Sequence, residues 1–252
     1  MNPEFYSKVA EKFGGYSSGA RRTTVHPEED PEVLFDRIAA ELADPAARLL
    51  DVGCADGRNL LAIAPSFGHA HGVDLSPEML DSAARSLAAS GLDHVEFSLR
   101  DASATGLPDG AFDVITSRRG PLFAEEFHRV LRPGGSLVHL GIGEQDVRAL
   151  KEVFGRGQLY RRWEGDPVSH EERGRLERAG FTVLREQAVP FQEYFHSAAE
   201  LTRFLEAVPI FEDFDLDHDR ALFDRYVEAA SEERGILLDR HWFVLHARRG
   251  DR

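Results

Sequence analysis

Between residues 47 and 143 one pattern repeats: a short apolar run, a turn, then apolar residues at helical spacing. ARLLDVG leads into GRNLLAIAPSF, and HAHGVDL into SPEMLDSAARSLAAS, where Ser76 is a plausible N-cap with Pro77 at the first helical position. HVEFSLRD and AFDVITS read as a third and fourth strand. PLFAEEFHRVLRPGG reads as a helix ending in a Pro-Gly-Gly turn, and SLVHLGIG as a fifth strand. Strands alternating with helices imply an α/β fold with a mostly parallel sheet covered on both faces. In such sheets a ligand sits beyond the carboxyl ends of the strands. Here the first three strands end in Asp51, Asp74 and Asp101.

Those acids limit what the ligand can be. The loop after the first strand reads Gly53-Cys54-Ala55-Asp56-Gly57. A dinucleotide fingerprint would present backbone amides to a pyrophosphate, but Asp51 and Asp56 would repel one. The Gly-Lys-Ser/Thr of a P-loop does not follow either. A ligand that tolerates negative surroundings fits better, and S-adenosylmethionine, with an ammonium, a sulfonium and no phosphate, is one. Glycines would let the backbone approach it closely. Asp74 follows about 20 residues after the loop, where an acid reading a ribose belongs.

The ordered set DVGCADG, GVDLSPEML, SLRDASATGLPDGAFDVITS and LRPGG resembles the class I S-adenosylmethionine-dependent methyltransferases across roughly residues 45–145. Ala55 stands where that family's first motif has its middle glycine. The resemblance implies a Rossmann-like seven-stranded sheet in the order 3-2-1-4-5-7-6, with the last strand antiparallel. It implies that Asp51, Gly53, Cys54, Ala55 and Gly57 surround the methionine part of the cofactor and that Asp74 meets the ribose. Leu75 and Met79 would lie on the adenine or in the core. Asp101 and Ala102 would meet the adenine edge, with Ser117 also at the cofactor and S-adenosylhomocysteine as product. The N-terminal EFYSKVAEKFGGYSSGARR resembles a leading segment that folds over the cofactor, with Tyr6, Phe13 and Tyr16 as candidate contacts.

Chemistry beyond the cofactor is expected at Ser117-Arg118-Arg119-Gly120-Pro121. This stretch departs from the Asn/Asp-Pro-Pro-aromatic pattern of nucleobase amine methylation. Two guanidiniums facing a pocket suggest an anionic group on the cofactor or the acceptor, unless they pair with structural acids such as Glu125 or Glu126. His139, inside the fifth strand, is a candidate general base. The remaining histidines, His69 and His71 among them, show no metal spacing, and EDFDLDHD (212–219) lacks the glycine and terminal glutamate of a calcium loop. No metal is expected.

Over its 252 residues we expect a single domain: a helical cover (1–44), a cofactor-binding core (45–190), a helical insertion or lid (191–235) and a last strand (236–252). The sixth strand is expected over FTVLREQAV, residues 181–189. A formal charge of −14 argues against a bulk grip on nucleic acid. No apolar run reaches the roughly 20 residues of a membrane span, and no secretory leader is visible, so a cytoplasmic setting is expected. Cys54, the only cysteine, rules out an internal disulfide or a cysteine-rich cluster. The expected activity is methyl transfer to a small-molecule acceptor at oxygen or nitrogen, possibly an anionic one. The alternatives are a methyltransferase acting on RNA or protein, or a cofactor-binding protein without turnover. Oligomeric state is left open.

Overall fold

The computed structural model describes residues 3–14 and 18–250. Its centre is β2 (Arg48–Val52), whose Leu49, Leu50 and Val52 are fully buried because strands flank it on both sides. β3 (His69–Asp74) and β5 (Phe112–Arg118) pair with it in parallel. β4 (Val95–Leu99) lies outside β3, and β6 (Leu131–Ile142) outside β5. β9 (Gly235–Arg249) runs antiparallel to β6, and β7 (Phe181–Phe195) antiparallel to β9. These seven strands stand in the expected order.

Two further strands bring the sheet, among the described residues, to nine. β1 (Arg22–Val25) adds antiparallel to the outer edge of β7, and β8 (Ser231–Glu232) pairs with the start of β9. β1 corrects the reading of residues 1–44 as wholly helical. The β-branched run RTTV suits an extended chain, and the otherwise unpaired edge of β7 at Gln192–Phe195 supplies its partner.

β7 is also longer than its expected 181–189 span. It continues to Phe195, in register with β9 from Phe181↔Arg249 to Phe195↔Ile236. Pro190 is accommodated because β1 begins pairing only at Gln192, leaving β7 an edge strand at that point.

Helices fill both faces. α2 (Pro31–Glu41) starts at Asp30, whose carboxylate accepts the Glu32 N–H at 2.8 Å, with Pro31 at the first helical position. Its Leu34, Phe35 and Ile38 pack on Val138 and Leu140 of β6. The alternate β6 residue Leu137 packs on the other face with Phe127 of α5 (Ala124–Val130) and Leu176 of α7 (Val168–Arg178). α3 (Arg58–Ile63) and α4 (Pro77–Ser90) follow β2 and β3, and Ser76 caps α4 through the Met79 N–H at 3.2 Å. α1 (Pro3–Phe13) lies on α4, where Phe5, Val9 and Met79 cluster and the Ser7 hydroxyl donates to Glu78 at 2.5 Å. α6 (Arg148–Phe154), α8 (Ala198–Leu205) and α9 (Leu216–Ala230) close a separate core over the end of the β7–β9 hairpin, around Phe195, Ile236 and Leu238. No helix among the described residues is long and apolar enough to cross a membrane.

Candidate active site

At the carboxyl end of β2 the chain turns through three left-handed residues, Gly53 (φ 71°), Ala55 (φ 49°) and Gly57 (φ 73°). Gly57 also has no room for a side chain, since a Cβ there would meet the Phe97 ring at 2.5 Å. Ala55 adopts an angle that favours glycine, at a cost of roughly 1–2 kcal/mol. The loop is held from β3. The Val73 carbonyl accepts the Gly53 and Cys54 N–H groups at 2.9 and 3.1 Å. Asp74 accepts the Ala55 N–H with one oxygen and the Ser76 N–H with the other, both at 2.9 Å.

The loop frames a cavity of about 260 Å³ lined by Asp51, Gly53, Cys54, Ala55, Asp74, Leu75 and Met79. Tyr6 of α1 lines it as well, as do Arg58 and Asn59, which motif reading missed. Met79 is both core and wall: it is 1% exposed under α1 and still borders the cavity. Asp51 accepts the Thr116 hydroxyl at 2.8 Å, and burial pushes its carboxyl up to about 6 despite that bond. Burial also raises Asp74, against the pull of its backbone hydrogen bonds. Burial pushes the Cys54 thiol up as well.

Asp101 and Ala102 line an adjoining space of about 230 Å³ that shares Gly53, Asp74 and Leu75 with the first. Asp101 is exposed and also closes its own turn, accepting the Ser103 N–H and hydroxyl at 2.8 and 2.7 Å; these bonds hold its carboxyl below the ordinary range. Gly57 borders none of these spaces and serves the turn itself. Tyr16 lies outside the described residues.

Three expectations need correction. Ser117 is fully buried behind the cavity, where its hydroxyl donates to the Pro121 carbonyl at 3.0 Å and holds the Gly120–Pro121 turn. His139 is 1% exposed and borders neither the loop cavity nor the larger one beside it. Strand alternation sends Val138 and Leu140 toward α2 and His139 to the opposite face, where its Nε2 lies 3.1 Å from Glu172 of α7. It is not placed to act as a base.

Arg118 and Arg119 do reach the cavity, but paired. Arg118 donates to Glu32 and Asp36, and Arg119 to Glu32. Their acids come from α2 and not from Glu125 or Glu126; Glu126 instead accepts from Arg129 and Thr105. Burial pushes Glu32 up, yet the charges of Arg119 and Arg118 outweigh it and leave the carboxyl below its ordinary range. The signal available in sequence was Glu32 and Asp36, four apart on one helix.

Tyr6, Glu32, Arg119 and Gly120 also line a larger cavity of about 430 Å³, walled by α8, the segment after it and β9. Gly120 cannot carry a side chain at this junction, since a Cβ would lie 2.8 Å from the Val52 carbonyl oxygen. At the far ends of β3 and β4, Glu96 lies 3.1 Å from His69 Nε2 and 3.0 Å from His71 Nδ1, a grouping that could hold a metal ion. The i, i+2 spacing puts both imidazoles on one face, but only pairing with β4 supplies the acid.

Residues 49–135 match the family described as a methyltransferase domain. That match spans about a third of the chain, from β2 to the start of β6. A 2-methyl-6-phytyl-1,4-hydroquinone methyltransferase of Synechocystis sp. is 34% identical over 118 residues, 44% of this chain and 36% of that protein. A demethylmenaquinone methyltransferase of Thermus thermophilus is 40% identical over 120 residues, 43% of this chain and 54% of that protein. The chain thus spans about half, or less, of the length of these relatives. Over nearly its whole length, the fold superposes on that of a functionally unknown protein from Deinococcus radiodurans R1 with a TM-score of 0.62 at 22% identity, covering 98% of this chain and 99% of that one.

Proposed function

We propose that this protein transfers a methyl group from S-adenosylmethionine to a small molecule. The carrying observation is that Asp51, buried, and Asp74, half-buried at the adjacent strand end, have carboxyls raised by desolvation and bonded to a hydroxyl and backbone amides instead of to an arginine. A ligand bearing ammonium and sulfonium charge would relieve that burial cost, so the residues fit the cofactor. Asp51 would face the cationic methionine end, with Gly53, Cys54 and Ala55 close against it. Asp74 would accept the ribose hydroxyls. Leu75 and Met79 would flank the adenine, with Asp101 and Ala102 near its edge.

When bound, the cofactor supplies a methyl group already activated on a sulfonium. The chain's own work is to hold two ligands together and keep water out. Tyr6, Glu32, Arg119 and Gly120, which border both cavities, are where the two would meet. Glu32, held down by its arginines, is a weak base there. The names of the relatives support small, non-macromolecular acceptors.

The test is calorimetry with S-adenosylmethionine and S-adenosylhomocysteine. Binding of both is expected, and Asp74→Ala should weaken it about 10- to 100-fold, as loss of a charged hydrogen-bond acceptor predicts. A folded protein that binds neither compound would overturn the proposal.

A further inference from the structure

The larger cavity carries many charged groups, yet its charges are already answered. On one side Arg119 donates to Glu32, and Arg118 to Glu32 and Asp36. On the other, Arg240 donates to Asp146 at 2.9 Å and to Glu193, and Arg22 donates to the same Glu193. Four arginines face four carboxylates. Burial pushes Glu193 up, but the charges of Arg240 and Arg22 hold it below its ordinary range, and across the set each guanidinium has a carboxylate to answer it.

The faces of the guanidiniums are occupied as well as their edges. The Trp242 ring centroid lies 4.7 Å from Arg119 and 4.9 Å from Arg240. An incoming carboxylate or phosphate would have to draw an arginine off its acid, leaving that acid buried and uncompensated. The remaining wall is mostly apolar and partly flat, with Ile142, Phe204, Val208, Pro209, Ile210 and Trp242, and its polar groups, on Tyr6, Ser18 and Gln158, carry no charge. A neutral ring displaces water from such a surface without disturbing the ion pairs.

We propose that this cavity takes an uncharged, ring-bearing, largely apolar acceptor and rejects anionic ones. The assignment of this ligand as acceptor rests on the methyl-transfer reading of the adjoining cavity. It replaces the anionic partner that Arg118 and Arg119 suggest when read in sequence alone.

Three probes with one scaffold and three charges test this: 2-naphthalenemethanol, 2-naphthoate and 2-naphthylmethylammonium, titrated calorimetrically at pH 7.5 with and without saturating S-adenosylhomocysteine. The alcohol should bind at least tenfold more tightly than either ion. Glu32→Gln, which frees Arg118 and Arg119 from one of their acids, should raise the affinity for naphthoate relative to the alcohol at least tenfold. Naphthoate binding the unaltered protein as tightly as the alcohol would overturn the proposal, as would failure of all three probes under both conditions. Failure of S-adenosylhomocysteine alone to bind would remove the methyl-transfer reading, while the ranking of the three probes would still decide the chemistry of the cavity.

Discussion

In the smaller cavity Asp51 and Asp74 accept hydrogen bonds from Thr116 and from backbone amides, and burial drives both carboxyls up. Across the junction Glu193 is buried like Asp51, yet two arginines hold it down. Burial is similar and the chemistry is the same, so the partner decides the state. The first cavity keeps an unmet preference for positive charge. The second has met its own charges and is left with apolar surface to offer. Adjacent sites for a cation and for a neutral ring can therefore share Glu32 and Arg119 without either ligand competing for the other's contacts.

The most forceful way to break this contrast is Arg240→Met. Arg240, Asp146 and Glu193 have side chains 6%, 3% and 4% exposed. Removing the cation strands buried Asp146 and leaves Glu193 to Arg22 alone, and urea unfolding at pH 7 should report a loss of about 3–5 kcal/mol. A loss under about 1 kcal/mol would mean that the ion-pair set is not what keeps those acids charged.

Asp51→Asn should act in the opposite direction. The folded carboxyl titrates near 6, above its ordinary value of 3.8. Its favourable contribution is fully present below about pH 4 and is lost as the pH rises through about 6. At pH 7 the asparagine variant, which has no such loss, should be more stable without ligand by on the order of 2–3 kcal/mol. It should bind S-adenosylmethionine more weakly. It should also lack the decline in affinity expected of the unaltered protein as the pH falls through about 6 and Asp51 takes up a proton. Equal stability of the two proteins from pH 4 to 8 would show that Asp51 carries no burial cost.

Ala55→Gly gives the smallest expected effect and sharpens the picture of the loop. Relief of the left-handed angle, partly offset by greater freedom in the unfolded chain, should raise stability by about 0.5–1 kcal/mol. Thermal unfolding would measure it. Cofactor affinity should stay within about twofold, because the Ala55 contact to Asp74 is made by the backbone N–H.

The smaller cavity was largely legible in sequence. Asp51, Gly53, Cys54, Ala55, Asp74, Leu75 and Met79 come from two short segments whose strands pair directly, so order along the chain carries over into space. The order of the seven core strands came from the family resemblance, whereas the strand–helix rhythm itself implies only parallel neighbours with right-handed crossovers. The larger cavity was not legible in sequence. Glu32 meets Arg118 across 86 positions, and Arg240 meets Asp146 across 94.

By itself, then, the amino-acid sequence determined a parallel sheet with acids at its strand ends and a glycine loop unsuited to phosphate. Those properties follow from local periodicity and from residues adjacent in the chain. Tertiary structure decided that Arg118 and Arg119 are already paired, that His139 faces away from the site and that an edge strand joins the N-terminal segment to β7. Each of these depends on which face of a strand or helix meets which distant element. A charge can be read from a sequence, but whether it is free to act is set by the neighbour that packing brings to it.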